Sequence, residues 1–254
     1  MELCWLTTDN CNQNCSYCDR FHRTKDLTKE KYLTILDKLI DYGTKYLTFG
    51  GGESLLVDCF GEIVKKAYQN GIHIKLVTNG KLIPSNADLI EYFDEITLSI
   101  DSLDSDINES LGRGANHFDN ICTSIEAIRN VKEDAFININ SVVTRINVND
   151  VINMSDQVRK WNIRQWRIFR FCPLRETALK NRNMFEISDE QFMNIEKTIG
   201  DLNLDCKVQF RNYADMEKGY LLITPDGKLC VSRDMQDVIV GDMITDNLYS
   251  WFAE

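Results

Sequence analysis

"KYLTFGGGESLLVDCFGEIVKKAYQNGIHIKLVTNG", residues 45–80, reads as one strand–helix–strand unit. "KYLTFGGGE" is an apolar run that ends in glycines, "CFGEIVKKAYQNG" has the composition of a helix, and "IHIKLVTNG" returns as a strand closed by a turn. The same alternation extends to both sides. Upstream, "ELCWLT" (2–7) is a short strand. "LTKEKYLTILDKLIDYG" follows as a helix with Thr28 as N-cap, a stripe through Leu33, Leu36 and Ile40, and Gly43 as its stop. Downstream come "NADLIEYF" as helix, "EITLSID" as strand, "FDNICTSIEAIRNV" as helix, "AFININSVVT" as strand, "VNDVINMSDQVRKW" as helix and "QWRIFRF" as strand. Six βα repeats at roughly 25–35-residue intervals call for a parallel sheet, because parallel strands need crossover connections.

A full eight-stranded barrel takes about 250 residues. Six units that end near residue 171 therefore predict an α/β fold with an incomplete (β/α)6 TIM-type barrel over residues 1–185. The remainder, 186–254, differs in kind: "SDEQFMNIEKTIGDL" reads as a helix, while "CKVQF", "GYLLITPDGKLCV" and "DVIVGDM" read as short strands, with "PDG" as a turn. A small α+β extension packed on the barrel is expected, since no Pro-rich linker, low-complexity segment or internal repeat separates the two parts.

The 254 residues, 43% hydrophobic and 27% charged, suffice for one sizeable core. A net charge of −10 disfavours binding to long nucleic acids, which rests on clustered Lys and Arg. No stretch approaches the roughly 20 apolar residues of a membrane span, and "MELCWLTTDNC" lacks the regions of a signal peptide, so a cytoplasmic protein without membrane partners is expected. Nine cysteines, an odd number without framework spacing, point to thiols or metal ligands in place of disulfides.

Three of those cysteines, Cys11, Cys15 and Cys18, crowd into "DNCNQNCSYCDR" (9–20). Structural zinc takes four protein ligands, so one reading is a noncatalytic zinc-binding interaction module with Cys4 or His22 as a distant fourth ligand. A second is three core thiols. A third is a four-iron cube with one iron left open to an outside ligand.

The spacing Cys-x3-Cys-x2-Cys, with Tyr17 before the last cysteine and a strand before the first, resembles the signature of the radical S-adenosylmethionine (SAM) superfamily. The resemblance implies that Cys11, Cys15 and Cys18 hold a [4Fe–4S] cluster and that SAM chelates the fourth iron. One electron from a donor such as flavodoxin or ferredoxin then cleaves SAM to methionine and a 5′-deoxyadenosyl radical that abstracts hydrogen from substrate. "TFGGGESLL" is similar to the family's Gly-Gly-Glu element, which assigns Gly51, Gly52 and Glu53 to SAM's ammonium, with Ser54 where a proline is common. A carboxylate complements a cation, and glycines permit close backbone approach. By the same resemblance Asn79 in "LVTNG" and Ser99 and Asp101 in "LSIDS" contact SAM from strand ends. Arg113 in "LGRG" meets its carboxylate, and Tyr17 lies beside its adenine end.

Within the superfamily, "SIDSLDSDINESLGRG", "FININSVVTRINVNDV", "WRIFRFCPLRE" and "FEISDEQF" resemble viperin and its prokaryotic relatives. That group dehydrates a ribonucleoside triphosphate, typically CTP, to its 3′-deoxy-3′,4′-didehydro form. The likeness implies a catalytic role for Tyr220 in "GYLLITPDG" as a radical relay or hydrogen donor. The likeness departs at Asn138, where the group carries a lysine; Asn138, Asn140, Arg145, Arg167, Arg170, Arg175 and Arg211 are the candidate substrate residues, and each arginine could equally be a surface ion-pair partner. A triphosphate needs several such donors. The tail "YLLITPDGKLCV…VGDM…DNLYSWF" is similar to twitch or SPASM domains, whose enzymes act on peptides or other small molecules and often bind auxiliary clusters. Only Cys172, Cys206 and Cys230 lie in or near it, none in a close pair.

Overall fold

The computed structural model describes residues 2–21, 25–216, 221–233 and 236–246. Seven parallel strands form the core of one sheet: β1 (Glu2–Leu6), β2 (Tyr46–Gly50), β3 (His73–Thr78), β4 (Glu95–Ser99), β5 (Phe136–Val143), β6 (Gln165–Arg170) and β7 (Lys207–Arg211). They lie side by side in chain order. Beyond β1 the sheet continues through β8 (Leu221–Ile223), parallel to β1, and then β9 (Lys228–Arg233) and β10 (Gln236–Asp242), which run antiparallel. Among the described residues β7 and β10 are the two edges, so the strands described do not close a ring.

Alternation along each strand creates two faces. Leu47 and Phe49 of β2, Ile74 and Leu76 of β3, Ile96 and Leu98 of β4, Ile137 and Ile139 of β5, and Trp166 and Ile168 of β6 are all buried in one continuous core. Helices supply the other half of that core: α1 (Lys29–Asp41) through Tyr32, Ile35, Leu36 and Leu39, and α2 (Phe60–Gln69) through Phe60, Ile63, Val64 and Ala67. After β4 come α3 (Ser105–Leu111) and α4 (His117–Val131), the latter burying Ile121, Ile125 and Ile128. The opposite, inner face of the strands carries polar residues, as expected of a barrel lumen.

Three local expectations take a different form. "NADLIEYF" belongs to a 3-10 segment, Pro84–Tyr92, kinked at Asn86 (φ −124, ψ 33). "VNDVINMSDQVRKW" divides into α5 (Asp150–Asn153) and α6 (Ser155–Lys160), with the Ser155 hydroxyl donating to the Ile152 carbonyl at the break (2.8 Å). "CKVQF" becomes β7, a seventh parallel strand. Two short helices, α7 (Glu176–Lys180) and α8 (Arg182–Phe185), precede α9 (Asp189–Gly200), which is the crossover to β7. α9 opens on a Ser188/Gln191 capping box and sets Phe192 edge-on to Phe210 of β7 at 6.4 Å. The described residues after Glu186 thus supply β7 at one end of the sheet and β8, β9 and β10 at the other. Among the described residues, no helix is long and apolar enough to cross a membrane.

Candidate active site

The cysteine loop follows β1 directly and is held against two neighbouring turns. Gly52 N–H donates to the Thr8 carbonyl at 2.6 Å and Glu53 N–H to the Asn10 carbonyl at 2.8 Å. So close is this approach that a Cβ on Gly52 would lie 2.1 Å from Asn10 O, and one on Gly51, at φ +127, would lie 2.6 Å from Thr8 O. From the other side Asn14 N–H and Ser16 N–H donate to the carbonyls of Gly112 and Leu111, both at 3.1 Å. A Cβ on Gly112 would meet Asn14 O at 2.2 Å. The loop is therefore clamped between the glycine turn after β2 and the end of α3. Ser54, in place of the common proline, is fully buried; it accepts from Thr7 Oγ1 at 2.9 Å and donates to the Gly50 carbonyl at 3.0 Å, tying β1 to β2.

Glu53 is fully buried, and its carboxylate accepts from Thr78 Oγ1 (2.8 Å), Asn79 N–H (3.0 Å) and Leu55 N–H (3.3 Å). Burial pushes its carboxyl above the usual range, and the three donors oppose that shift. A cation brought to this carboxylate would relieve the desolvation. Asn79 reaches the loop itself, its Nδ2 donating to Asn12 Oδ1 at 2.7 Å and lying 3.8 Å from Cys11 Sγ.

Asp101, just past β4, is the hub of the floor beneath the loop. It is fully buried, and its carboxylate accepts from Tyr17 Oη, from Arg113 Nε and from Val142 N–H, the last at 2.7 Å. Asn147 Nδ2 donates to the Asp101 carbonyl at 2.8 Å and to the Val142 carbonyl at 2.9 Å. Arg113 lies 5.8 Å from the Tyr17 ring centroid, and Tyr17 packs edge-on to Phe185 at 5.7 Å. Burial drives the Tyr17 phenol far above its ordinary value, so it stays a protonated donor to Asp101.

Sequence reasoning missed Gln13 and His117, which continue this network: Gln13 stands in the unconstrained part of the cysteine motif, and His117 is separated from the loop by about a hundred residues. Gln13 Nε2 meets His117 Nδ1 at 3.0 Å, and His117 Nε2 meets the Ser99 carbonyl at 2.8 Å. Burial lowers the His117 pKa from 6.5 to about 4, and the nearby Arg113 cation adds to the effect. The folded state thus holds His117 neutral while the unfolded chain takes up a proton below pH 6.5. Its contribution is complete above pH 6.5 and is lost as pH falls toward 4. From this group alone, stability at pH 5 should be about 2 kcal/mol below that at pH 7. Urea unfolding at the two pH values, with His117→Ala as the control lacking this component, measures it.

The inner face carries a second set of groups. Ser99, Asn140, Arg167 and Gln209 are successive cross-strand neighbours on β4, β5, β6 and β7; one layer below run Thr97, Asn138, Gln165 and Lys207. Arg211 follows on β7 beside Phe169. Ser99, Asn138, Asn140, Arg167 and Arg211 thus share this face, and Lys207 joins them although the sequence reading passed it over. The remaining arginines point elsewhere. Arg170 lies on the helix side, donating to Asp189, to Asn212 Oδ1 (3.2 Å) and to the Ile187 carbonyl (2.7 Å), and stacks on Tyr213 at 4.3 Å. Arg175 clamps Asp237 of β10 and Asp19 of the cysteine loop, with Phe21 under its guanidinium at 4.2 Å. Both guanidiniums are engaged in joining elements. Arg145 is exposed on the loop after β5. Tyr220 and His22 lie outside the described residues.

The donor set fits an iron–sulfur cluster. Burial pushes the Cys15 thiol up to about 11 and raises that of Cys18, so these sulfurs need a metal in place of the proton to be thiolates. Among the described residues no three His, Cys, Asp or Glu side chains converge on a single-ion site, whereas three cysteines within eight positions of one loop are the usual protein ligands of an iron–sulfur cluster. Cys206 precedes β7 and Cys230 lies in β9, near opposite edges of the sheet, so these two do not meet.

Comparison with known proteins agrees with this geometry. Residues 5–158 match the radical SAM superfamily. A protein of Flammeovirga pacifica named S-adenosylmethionine-dependent nucleotide dehydratase is 32% identical over 86% of this chain and 78% of its own length. The nucleotide dehydratase RSAD2 of Oncorhynchus mykiss is 29% identical over 93% of this chain and 73% of its own. Among solved structures, Streptococcus suis SuiB bound to its precursor peptide SuiA superposes with a TM-score of 0.78 at 15% identity. That match covers 99% of this chain but 64% of SuiB, a likeness of fold. The cofactors of such a site are a [4Fe–4S] cluster and SAM, and with half its length and more matched, the chain belongs to the radical SAM superfamily and, within it, to the viperin-like group.

Proposed function

We propose that the protein is a nucleotide dehydratase acting on a ribonucleoside triphosphate such as CTP. The observation that carries this reading is the 32% identity over most of both chains to the relative named for that activity. The cations gathered on the inner face of β6 and β7 accompany it, because Arg167, Lys207 and Arg211 share one side of the sheet. Cys11, Cys15 and Cys18 would hold the cluster, which when bound would supply the reducing power for SAM cleavage and so the radical chemistry of hydrogen abstraction.

The chain's own residues have three tasks in this reading. Cys11, Cys15 and Cys18 hold the cluster, clamped by Gly51, Gly52 and Gly112. Glu53, held by its three donors, accepts the ammonium of SAM, with Asn79 and Ser99 beside it. The row Ser99, Asn140, Arg167 and Gln209 orients the nucleotide, and Arg167, Lys207 and Arg211 offset its phosphate charge. Asp101 acts one step removed, by fixing Tyr17 and Arg113. Tyr220 remains the proposed hydrogen donor or relay, residues 1–185 the proposed core and 186–254 the proposed extension packed on it. A low-potential flavodoxin or ferredoxin is the proposed electron donor.

A panel of ribonucleoside triphosphates tests the reading. One of them, CTP first, should raise 5′-deoxyadenosine release at least about tenfold above the uncoupled background, since positioned substrate converts wasteful cleavage into turnover. If no nucleotide changes that yield while a peptide or another small molecule does, the substrate assignment falls and the radical chemistry stands.

A further inference from the structure

Gln13 sits between two of the cluster cysteines, is 8% exposed, and has its side-chain amide held from three directions. Its Nε2 donates to the Arg113 carbonyl at 3.2 Å and to His117 Nδ1 at 3.0 Å, while its Oε1 accepts from Arg113 Nη1 at 3.1 Å. His117 is itself settled by Ser99: a carbonyl only accepts, so Nε2 carries the ring proton and Nδ1 is the acceptor. Turning the Gln13 amide over would set its NH2 against the guanidinium and its oxygen against the Arg113 carbonyl. The orientation therefore has one satisfied state.

The consequence falls on Cys15, whose Sγ lies 3.8 Å from Gln13 Oε1. A thiol can donate its proton to that oxygen. A metal-bound thiolate has none to give and meets the negative end of the amide dipole. Asn79 presents the opposite polarity, with Nδ2 3.8 Å from Cys11 Sγ. Hydrogen bonds to cluster sulfurs stabilise an added electron and raise the reduction potential, whereas a carbonyl in the same place works the other way.

We propose that Gln13 is a positioning residue that lowers the reduction potential of the cluster by holding a carbonyl oxygen, in place of an N–H, against the sulfur of Cys15. The inference rests on the reading that Cys11, Cys15 and Cys18 hold the cluster. It makes the reduced cluster a stronger electron donor, as cleavage of SAM requires. Neither the cysteine spacing nor Arg113 alone has this effect, because Arg113 supplies positive charge and the amide supplies the opposing dipole.

The test is a potentiometric titration of the reconstituted full-length protein, without SAM, followed by the electron paramagnetic resonance signal of the reduced cluster. Iron and sulfide analysis of each variant comes first and reports separately on whether the three cysteines hold a cluster. Gln13→Met keeps the bulk and removes the carbonyl; poised at the wild-type midpoint, its ratio of reduced to oxidised cluster should rise about threefold or more. Gln13→Glu keeps the acceptor and adds negative charge, and its ratio should fall by about the same factor. Opposite shifts cannot arise from loosened packing, which would move both variants together. Should Gln13→Met fail to take up iron, Gln13→Leu replaces it. Unchanged midpoints in both the apolar and the Glu variants, or shifts of the same sign, overturn the proposal.

Discussion

Replacing Cys15 by alanine is expected to abolish SAM cleavage, lowering 5′-deoxyadenosine release by at least about 1,000-fold, because two thiolates cannot hold a cube that leaves one iron for SAM. The protein should also emerge from reconstitution nearly colourless, with iron and sulfide reduced to trace amounts. The effect follows from the clamped loop: Asn14 and Ser16, on either side of Cys15, are pinned to the end of α3, so no neighbouring thiol can swing in as a substitute. Cys59 and Cys122 provide the contrast. Both are half-buried thiols packed against the core on the helix side. Cys59→Ala and Cys122→Ala should keep full iron content and activity within about threefold, since a small core truncation costs stability before it costs chemistry. A Cys15→Ala protein that retains a full cluster and cleaves SAM would remove the basis of the site.

Asp101→Leu should lower the stability of the protein by about 3–5 kcal/mol, the usual consequence of stranding a buried charge. Arg113, whose side chain is 8% exposed, would lose the carboxylate beside it, and Tyr17 Oη and Val142 N–H would lose their acceptor. Asp101→Leu combined with Arg113→Met should recover a good part of that loss, because a buried ion pair replaced by apolar groups of similar size is often close to neutral. Urea unfolding of the wild type, the single variant and the pair reads the coupling directly. An Asp101→Leu protein as stable as the wild type, or a double variant no better than the single one, would show that the pair does not hold the floor. Cluster uptake should follow the same order, since Tyr17 lies within the cysteine motif.

The parallel sheet was legible in the βα rhythm because each strand pairs with the next in chain order, so local pattern and global topology coincide. The seventh strand was read as part of the extension: "CKVQF" is too short to announce its direction, and only pairing with β6 makes it parallel. The cysteine loop and the Gly-Gly-Glu turn were legible as motifs, yet the motif does not say that Gly51 and Gly52 are needed where the cysteine loop passes over them. The arginines were the least legible. Arg167, Arg170 and Arg175 look alike in "WRIFRFCPLRE", and strand parity sends Arg167 to the inner face and Arg170 to the helices. Arg175, past the end of β6, is drawn to Asp19 and Asp237, which lie 156 and 62 residues away.

By itself the sequence determined the order of the strands and most of the helices and the spacing of the three thiols, since each of these is set by pattern along a short stretch of chain. The tertiary structure alone decided which polar groups act together. Asp101 binds Tyr17 and Arg113, and Gln13 is oriented by Arg113 and His117, through contacts spanning 12 to 104 residues. Buried donors and acceptors must find partners wherever the fold brings them, and local pattern carries no record of that choice.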